Sequence, residues 1–380
     1  MQFRMITPGE AWRFDDFIRS TANGHLFQSY MWGEVKKPDW EPLRVVLEEE
    51  GRIVAAASIL KRKLPVGRRT IFYLPRGPVM EDWDDADVLA AIIDGIRALA
   101  MEHRAVLVKI DPCIMEGQQT PAAALRRIGF QPANVKRDFG GVQPRYTFRL
   151  DLQGELDQIM GRFPKKIRYK IRYAYKRGLQ FVTAGEKELP QFMQLMDKTA
   201  ERGNFVNRKI DYFQKLFRIL SPENAINLTL GLFEGRVITA GITFAFGDKA
   251  WAAYGAQSES HRNIYAYHAL IWERIKWAKG KGARWFDFYG VPGEVGPDHP
   301  LYGIYYFKKS FGGNYCAFIG ELDLVLSRGH YLLWRHLSPP IYNSVIFMIR
   351  LGRRIDASLF SFWKRIFSFR RFTESGEKPF

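Results

Sequence analysis

A seven-residue phrase occurs twice in this chain. Glu50-Gly51-Arg52-Ile53-Val54-Ala55-Ala56 in the first half is answered by Glu234-Gly235-Arg236-Val237-Ile238-Thr239-Ala240 in the second. Each phrase joins two strand-like runs, Leu43–Glu49 with Ile53–Leu60 and Leu228–Glu234 with Val237–Phe246, so each reads as a hairpin with a Gly turn. Two such hairpins could match by chance, but the order of elements around them matches as well. In the first half a helical pattern over 11–22 precedes the hairpin. A strand at Thr70–Leu74, a helix over 84–102 and a buried strand at Ala105–Ile110 follow it. In the second half, helices over about 188–202 and from Asp211 precede the hairpin. A strand at Trp251–Gly255, a helix at Tyr265–Gly280 and a strand at Trp285–Tyr289 follow. A repeated order of this kind restricts the fold more than any single motif. It predicts two copies of one α/β unit, each a hairpin-containing mixed sheet (α+β in character) with helices packed on it.

The chain has 380 residues, enough for two such domains. Hydrophobic residues at 47% and charged residues at 26% describe a folded globular protein and exclude a disordered one. The net charge of +17 favours a polyanionic partner: nucleic acid, an anionic membrane face or a phosphorylated substrate. The bland alternative is a protein that is merely basic. Cys113 and Cys316 stand far apart, without metal-ligand spacing or a disulfide framework, which fits a reducing compartment. The N-terminal residues lack a signal-peptide apolar core, and no apolar run reaches the ~18 residues of a membrane span. These features predict a cytoplasmic protein.

Two basic stretches lie outside the repeat. Between the copies, Lys165-Lys166-Ile167-Arg168-Tyr169-Lys170-Ile171-Arg172 follows Pro164 and runs as a helix to Gly178. No acid interrupts its charges, so they repel unless a polyanion or carboxylates lie alongside. Interleaved tyrosines suit nucleic-acid backbone and base stacking. The competing reading is a solvated amphipathic helix with Ile167, Ile171 and Ala174 inward. From Tyr342 to Phe372 a tail alternates Phe, Trp and Ile with Arg and Lys, a pattern for an anionic leaflet or for a helix packed on the first domain.

The chemistry-bearing residues are few. There is no Walker loop, no G-x-G-x-x-G after a strand and no Cys/His set with metal spacing, so the chain is read as using no cofactor and no metal. After the strand Trp285–Tyr289 comes a loop rich in Gly and Pro. The chain then returns through Tyr305-Tyr306-Phe307 and places Lys308 before Gly312-Gly313. Lys308 is read as standing at the end of a core strand beside a loop, where it could hold a phosphate or a developing oxyanion; a solvated edge lysine is the alternative. Cations Lys36, Arg208 and Lys308, tyrosines Tyr212 and Tyr254, and the strand-end carboxylate Asp111 can position two substrates and pass a proton. That set suits acyl transfer from an activated ester to an amine.

Six stretches in the same order resemble the Fem aminoacyltransferases, which build the interpeptide bridge of peptidoglycan. They are Gln28 to Lys36, Gly77-Pro78-Val79, Ile110-Asp111-Pro112, Arg202 to Tyr212, Asp287 to Val291 and Phe307 to Gly313, and they extend the likeness over nearly all of 1–326. The resemblance implies two tandem GNAT-like acyltransferase domains: 1–148 plus 318–340 on the muropeptide acceptor side, and 149–317 on the aminoacyl-tRNA side, with 341–380 as a basic tail. It implies an enzyme that moves an amino acid from aminoacyl-tRNA to the position-3 side-chain amine of lipid II or its UDP-linked precursor. By motif, Lys36 and Arg208 match a pyrophosphate-binding pair, and Tyr212 and Tyr254 match tyrosines that contact the precursor. Phe307 and Lys308 match a pair at the aminoacyl end of tRNA, and Asp111 matches a carboxylate near the accepting amine, its role as base left open. Ala105 stands where a relative has an active-site tyrosine. Between Asp151 and Leu189 there is no room for the coiled-coil arm of some members, so Lys165, Lys166, Arg168, Lys170 and Arg172 would carry more of the tRNA contact. The expected protein is a monomer, cytoplasmic, acting at the inner face of the membrane if the tail binds there. The alternatives are an acyl-CoA N-acyltransferase on the same fold and a non-catalytic RNA- or membrane-binding protein.

Overall fold

Glu50 and Gly51 both take positive φ, 49° and 78°, and Glu234 and Gly235 repeat this at 49° and 72°. Two consecutive left-handed residues form a tight hairpin turn whose twist matches that of the strands it joins. The repeated phrase therefore encodes one backbone twice. The structure is a computed structural model that describes residues 1–64, 67–133, 141–203 and 205–335. The tail expected over 341–380 lies outside the described residues.

The chain opens with β1 (Gln2–Met5), α1 (Ala11–Ser20) and α2 (Tyr30–Lys36). Then come β2 (Glu41–Glu49), β3 (Arg52–Lys63), β4 (Thr70–Leu74), β5 (Val79–Met80), α3 (Ala86–Glu102), β6 (Ala105–Ile110), α4 (Gln119–Ile128) and β7 (Phe130–Pro132). The middle of the chain holds β8 (Tyr146–Asp151), α5 (Leu156–Arg162), α6 (Lys165–Lys176), β9 (Gln180–Ala184), α7 (Leu189–Arg202) and α8 (Ile210–Leu220). The last part holds β10 (Ile226–Phe233), β11 (Arg236–Phe246), β12 (Lys249–Gln257), α9 (Ala266–Gly280), β13 (Trp285–Asp287), α10 (Tyr302–Lys309), β14 (Asn314–Ala317) and β15 (Leu322–Val325).

Among the described residues the strands form two sheets, ordered β1-β2-β3-β4-β6-β15-β7, with β5 beside β3, and β9-β10-β11-β12-β13-β8-β14. The positions correspond one to one. In both, a hairpin leads to a third antiparallel strand, then a helix, then a parallel strand. The sixth position is exchanged: β8 follows β7 in sequence but pairs with β13 and β14, while β15 follows β14 and pairs with β6 and β7. Each sheet is thus completed by a strand reached from the other. One apolar cluster joins the halves, with Phe14, Ile18, Leu26 and Trp32 packed among Phe192, Phe213, Leu216 and Phe244. This junction buries large side chains on both sides, so the two sheets are held by core packing as well as by the exchange.

The basic segment is helical, with Ile167, Ile171 and Ala174 buried, as their spacing predicts. One expectation fails. Lys308 does not end a strand; it lies in the last turn of α10. Tyr, Tyr and Phe in succession favour strands. Here tertiary packing overrides that propensity: Tyr305 is buried against Phe148, and Phe307 turns to Tyr267 and Phe311.

Candidate active site

Helix α2 begins where Ser29 accepts from the Trp32 N–H, and its last turn presents Lys36. Arg208 stands just before α8, and the two helices pack together. Both cations therefore reach one cleft, a cavity of about 300 Å³ lined also by Trp32, Tyr212, Tyr254, Tyr289 and residues 141–144. The Arg208 guanidinium lies 4.4 Å over the Tyr212 ring and the Lys36 ammonium 5.0 Å over Trp32. Aromatic faces stabilise cations in this way through the ring quadrupole. Burial pushes the Tyr254 phenol well above its ordinary range, and its bond to Tyr212 adds to this. Two cations, three phenols and apolar walls suit a pyrophosphate with an organic substituent.

On the far side of Tyr289 the second sheet opens. Parallel strands β12 and β13 pair only as far as Trp251 with Asp287. Beyond that point β12 continues while the other chain turns away, with Tyr289 in the left-handed region at φ 62°. The buried Asp287 carboxylate sets this turn. It accepts from the Tyr289 N–H at 2.7 Å, the Thr147 hydroxyl at 2.5 Å and Arg149 Nε at 3.0 Å. The carbonyls of Tyr289 and Gly290, released from the sheet, receive the half-buried Lys308 Nζ at 3.0 and 2.7 Å. Burial pushes the Lys308 ammonium down to about 7; Asp287 opposes the shift and Arg274 adds to it. An ammonium has three donors. Two of those on Lys308 hold backbone carbonyls. Phe307 is locked by the Tyr267, His268 and Phe311 rings at 5.4, 5.0 and 5.3 Å.

Asp111 directly follows β6, is buried, and is not among the residues lining the cavity. Both its oxygens are engaged: one by the Arg76 N–H, the other by the Tyr73 hydroxyl at 2.7 Å. Burial raises its pKa to about 6, against the pull of Arg76. Tyr73 bonds in turn to the Gln143 side chain, which accepts from the Tyr289 hydroxyl at 3.1 Å. Asp111 thus meets the cleft through three side chains rather than directly. Ala105 sits at the opposite end of the same strand, and the tyrosine beside Asp111 comes from β4.

On α6, Lys165, Lys166 and Arg172 are exposed, while Arg168 and Lys170 are half-buried. Arg168 donates to the Gly161 carbonyl at 3.0 Å. Lys170 lies 3.2 Å from His268 Nε2, and burial, then repulsion from Lys166, lowers its pKa. Burial pushes His268 itself to about 3, so its ring is neutral at physiological pH. A track of contacts therefore runs from the cationic helix through Lys170 and His268 to Phe307 and Lys308. Sequence reading did not single out Thr147, Arg149, Tyr73, Gln143 or His268. Asp287 alone carried a signal, as a single acid inside the buried aromatic run Trp285–Phe288. Among the described residues no group of three side chains could hold a metal ion.

Known proteins agree with this architecture. A lipid II:glycine glycyltransferase of Staphylococcus aureus strain MRSA252 is 25% identical over 410 aligned positions, covering 90% of this chain and 97% of the relative. The crystal structure of FemX superposes with a TM-score of 0.81 at 24% identity, covering 88% of this chain and 99% of that one. A tandem GNAT protein from the clavulanic acid biosynthesis pathway superposes at 0.51 with 12% identity, covering 85% and 97%, and bears out the duplicated GNAT-like fold. The FemAB family model matches residues 10–231 and 234–338, most of the sequence, and the chain belongs to the FemAB family.

Proposed function

We propose that this chain transfers an amino acid from aminoacyl-tRNA to the position-3 side-chain amine of a peptidoglycan precursor, lipid II or its UDP-linked form. It is an aminoacyltransferase that forms an amide bond, and its relatives are lipid II:glycine glycyltransferases. The observation that carries the reading is the arrangement around Tyr289. One side of this residue lines a cavity holding Lys36 and Arg208; its carbonyl holds Lys308. A pyrophosphate gripped by the two cations places the muropeptide toward the opening of the second sheet, where Lys308 meets the ester. Lys36 comes from the segment 1–148 and Arg208 from 149–317, so the acceptor lies where the two proposed domains meet.

The amine nitrogen attacks the ester carbonyl carbon and a C–N bond forms. The carbonyl oxygen takes the electron pair as an oxyanion, which the third Lys308 N–H stabilises. The C–O ester bond then breaks, the tRNA hydroxyl oxygen takes the pair, and the proton lost by the amine ends on that hydroxyl. With a pKa near 7, Lys308 is partly protonated at neutral pH, and a developing oxyanion favours the charged form. Asp111, with both oxygens occupied, serves by holding Arg76 and Tyr73 in place. The exposed cations of α6 receive tRNA phosphates, and the Lys170–His268–Phe307 track leads toward the acceptor end. No helix among the described residues is long and apolar enough to cross a membrane. The donor is tested by supplying the enzyme and UDP-linked muropeptide with charged tRNA, ribonuclease-treated charged tRNA, or an acyl-CoA. The reading predicts transfer from intact charged tRNA only; transfer from acyl-CoA contradicts it.

A further inference from the structure

We infer that Glu321 is a positioning residue that fixes the cavity wall at 141–144 from the far end of the chain. Glu321 stands just before β15, the exchanged strand, and is buried. One carboxylate oxygen receives Lys109 Nζ at 3.2 Å, and the other accepts from the Val142 N–H, 179 positions earlier in the chain. Its backbone carbonyl accepts from the Ala133 N–H at 3.0 Å. Lys109 also faces Asp323 at 2.7 Å, and Asp323 receives the Tyr331 hydroxyl. One buried lysine thus meets two carboxylates. Asp323 suffices to balance its charge, which leaves Glu321 to hold the wall.

The wall has no slack on either side. A Cβ at Gly141 would come 2.6 Å from the Glu321 carboxylate, so a side chain there would force the carboxylate or the wall to shift. Gln143 bonds to Tyr73 and Tyr289, and the Pro144 carbonyl accepts from Arg76 at 2.6 Å. Gly141, Val142, Gln143 and Pro144 all line the cavity. A shift of Val142 therefore moves the surface facing Lys36 and Arg208 together with the links to Asp111. That the wall shapes the acceptor site rests on the function proposed above; that Glu321 holds it does not.

The test compares Glu321→Ala with Asp323→Asn in the full chain. Both disturb the same ion cluster, but only the first releases Val142. Hydrogen exchange over 141–145 and affinity for UDP-linked muropeptide are read for each. Glu321→Ala should speed exchange at Val142 and weaken muropeptide binding, each by about tenfold, the size expected for one lost buried hydrogen bond. Asp323→Asn should lower thermal stability and leave both readouts unchanged. Gly141→Ala keeps every side chain of the ion cluster but drives a Cβ against the Glu321 carboxylate that holds Val142, so it carries the same expectation if Glu321→Ala does not fold. Unchanged exchange in the Glu321 or Gly141 variant overturns the inference, as does equal loosening in Asp323→Asn. A wild-type protein that binds no muropeptide, with exchange still separating the variants, retains the anchor and removes the acceptor reading.

Discussion

Replacing Lys308 with methionine removes an ammonium while keeping an unbranched side chain of similar length. In the folded protein that ammonium holds the Tyr289 and Gly290 carbonyls. Tyr289 keeps the Thr147 hydroxyl at 3.1 Å, so the structural loss falls mainly on Gly290. One buried carbonyl losing its donor costs about 1–3 kcal/mol, and at this half-buried position the lower end applies. The melting temperature should fall by roughly 1–2 °C, the shift that about 1 kcal/mol produces in a chain of 380 residues. The catalytic loss should be larger: one missing oxyanion donor lowers kcat by about 10²–10³. The pH dependence separates the two effects. Below about 7 Lys308 is charged, and the cation is lost as pH rises through that value. Wild-type kcat/KM, which reports the free enzyme, should therefore decline on the alkaline side with a midpoint near 7. Stability runs the other way. Between about 7 and the ordinary 10.5 the unfolded chain binds more protons at this lysine, so stability through this group rises with pH across that window. Single-turnover transfer from pH 6 to 9, with melts at each pH, measures both. A Lys308→Met variant within about threefold of wild type, or one that keeps the alkaline decline, would refute the role given to Lys308.

Lys36→Ala and Arg208→Ala should each weaken UDP-linked muropeptide binding by about tenfold or more, the cost of removing a charge-assisted hydrogen bond, and leave tRNA affinity nearly unchanged; parallel titrations with the two ligands check this, and equal weakening of both rejects the pyrophosphate role. Reversing Lys165, Lys166 and Arg172 to glutamate should weaken tRNA binding and flatten the slope of log K against log salt by about 0.7–0.9 for each phosphate left without its cation. An unchanged slope would make α6 a solvated helix and nothing more. Asp111 is held at about 6 against an ordinary 3.8, so the folded chain binds more protons there and stability through this group falls as pH rises across that interval. The melting temperature of Asp111→Asn relative to wild type should accordingly rise from pH 4 to pH 6, and a constant difference would contradict the buried, partly neutral Asp111.

What the sequence could show followed the range of the interactions involved. Thr70–Leu74 and Ala105–Ile110 were legible to the residue because each is a short apolar run bounded by polar or turn residues. The hairpin pair was legible because its turns require two left-handed positions and both copies supply Glu-Gly. Strands β8 and β15 were not, because each pairs with strands far away in sequence and takes its place by exchange. The helix carrying Lys308 was hidden by aromatic residues whose local preference is for strands and whose actual contacts are with Phe148 and Tyr267. At the site, motif order located Lys36, Arg208, Tyr212 and Tyr254, and the fold places all four in one cavity. The support behind them was silent because Asp287 finds Thr147 and Arg149 some 140 positions away, and no local pattern records a contact of that span.

The central claim is that one chain joins an amino acid carried by tRNA to the side-chain amine of a muropeptide. Incubating the purified protein with a mixed pool of charged tRNAs and either UDP-linked muropeptide or lipid II, then sequencing the product by tandem mass spectrometry, tests it directly. The account predicts a mass increase of one or more amino-acid residues, located on the position-3 side-chain amine and absent with Lys308→Met. An unmodified muropeptide with both acceptors, or an added residue anywhere else on the peptide, would contradict it.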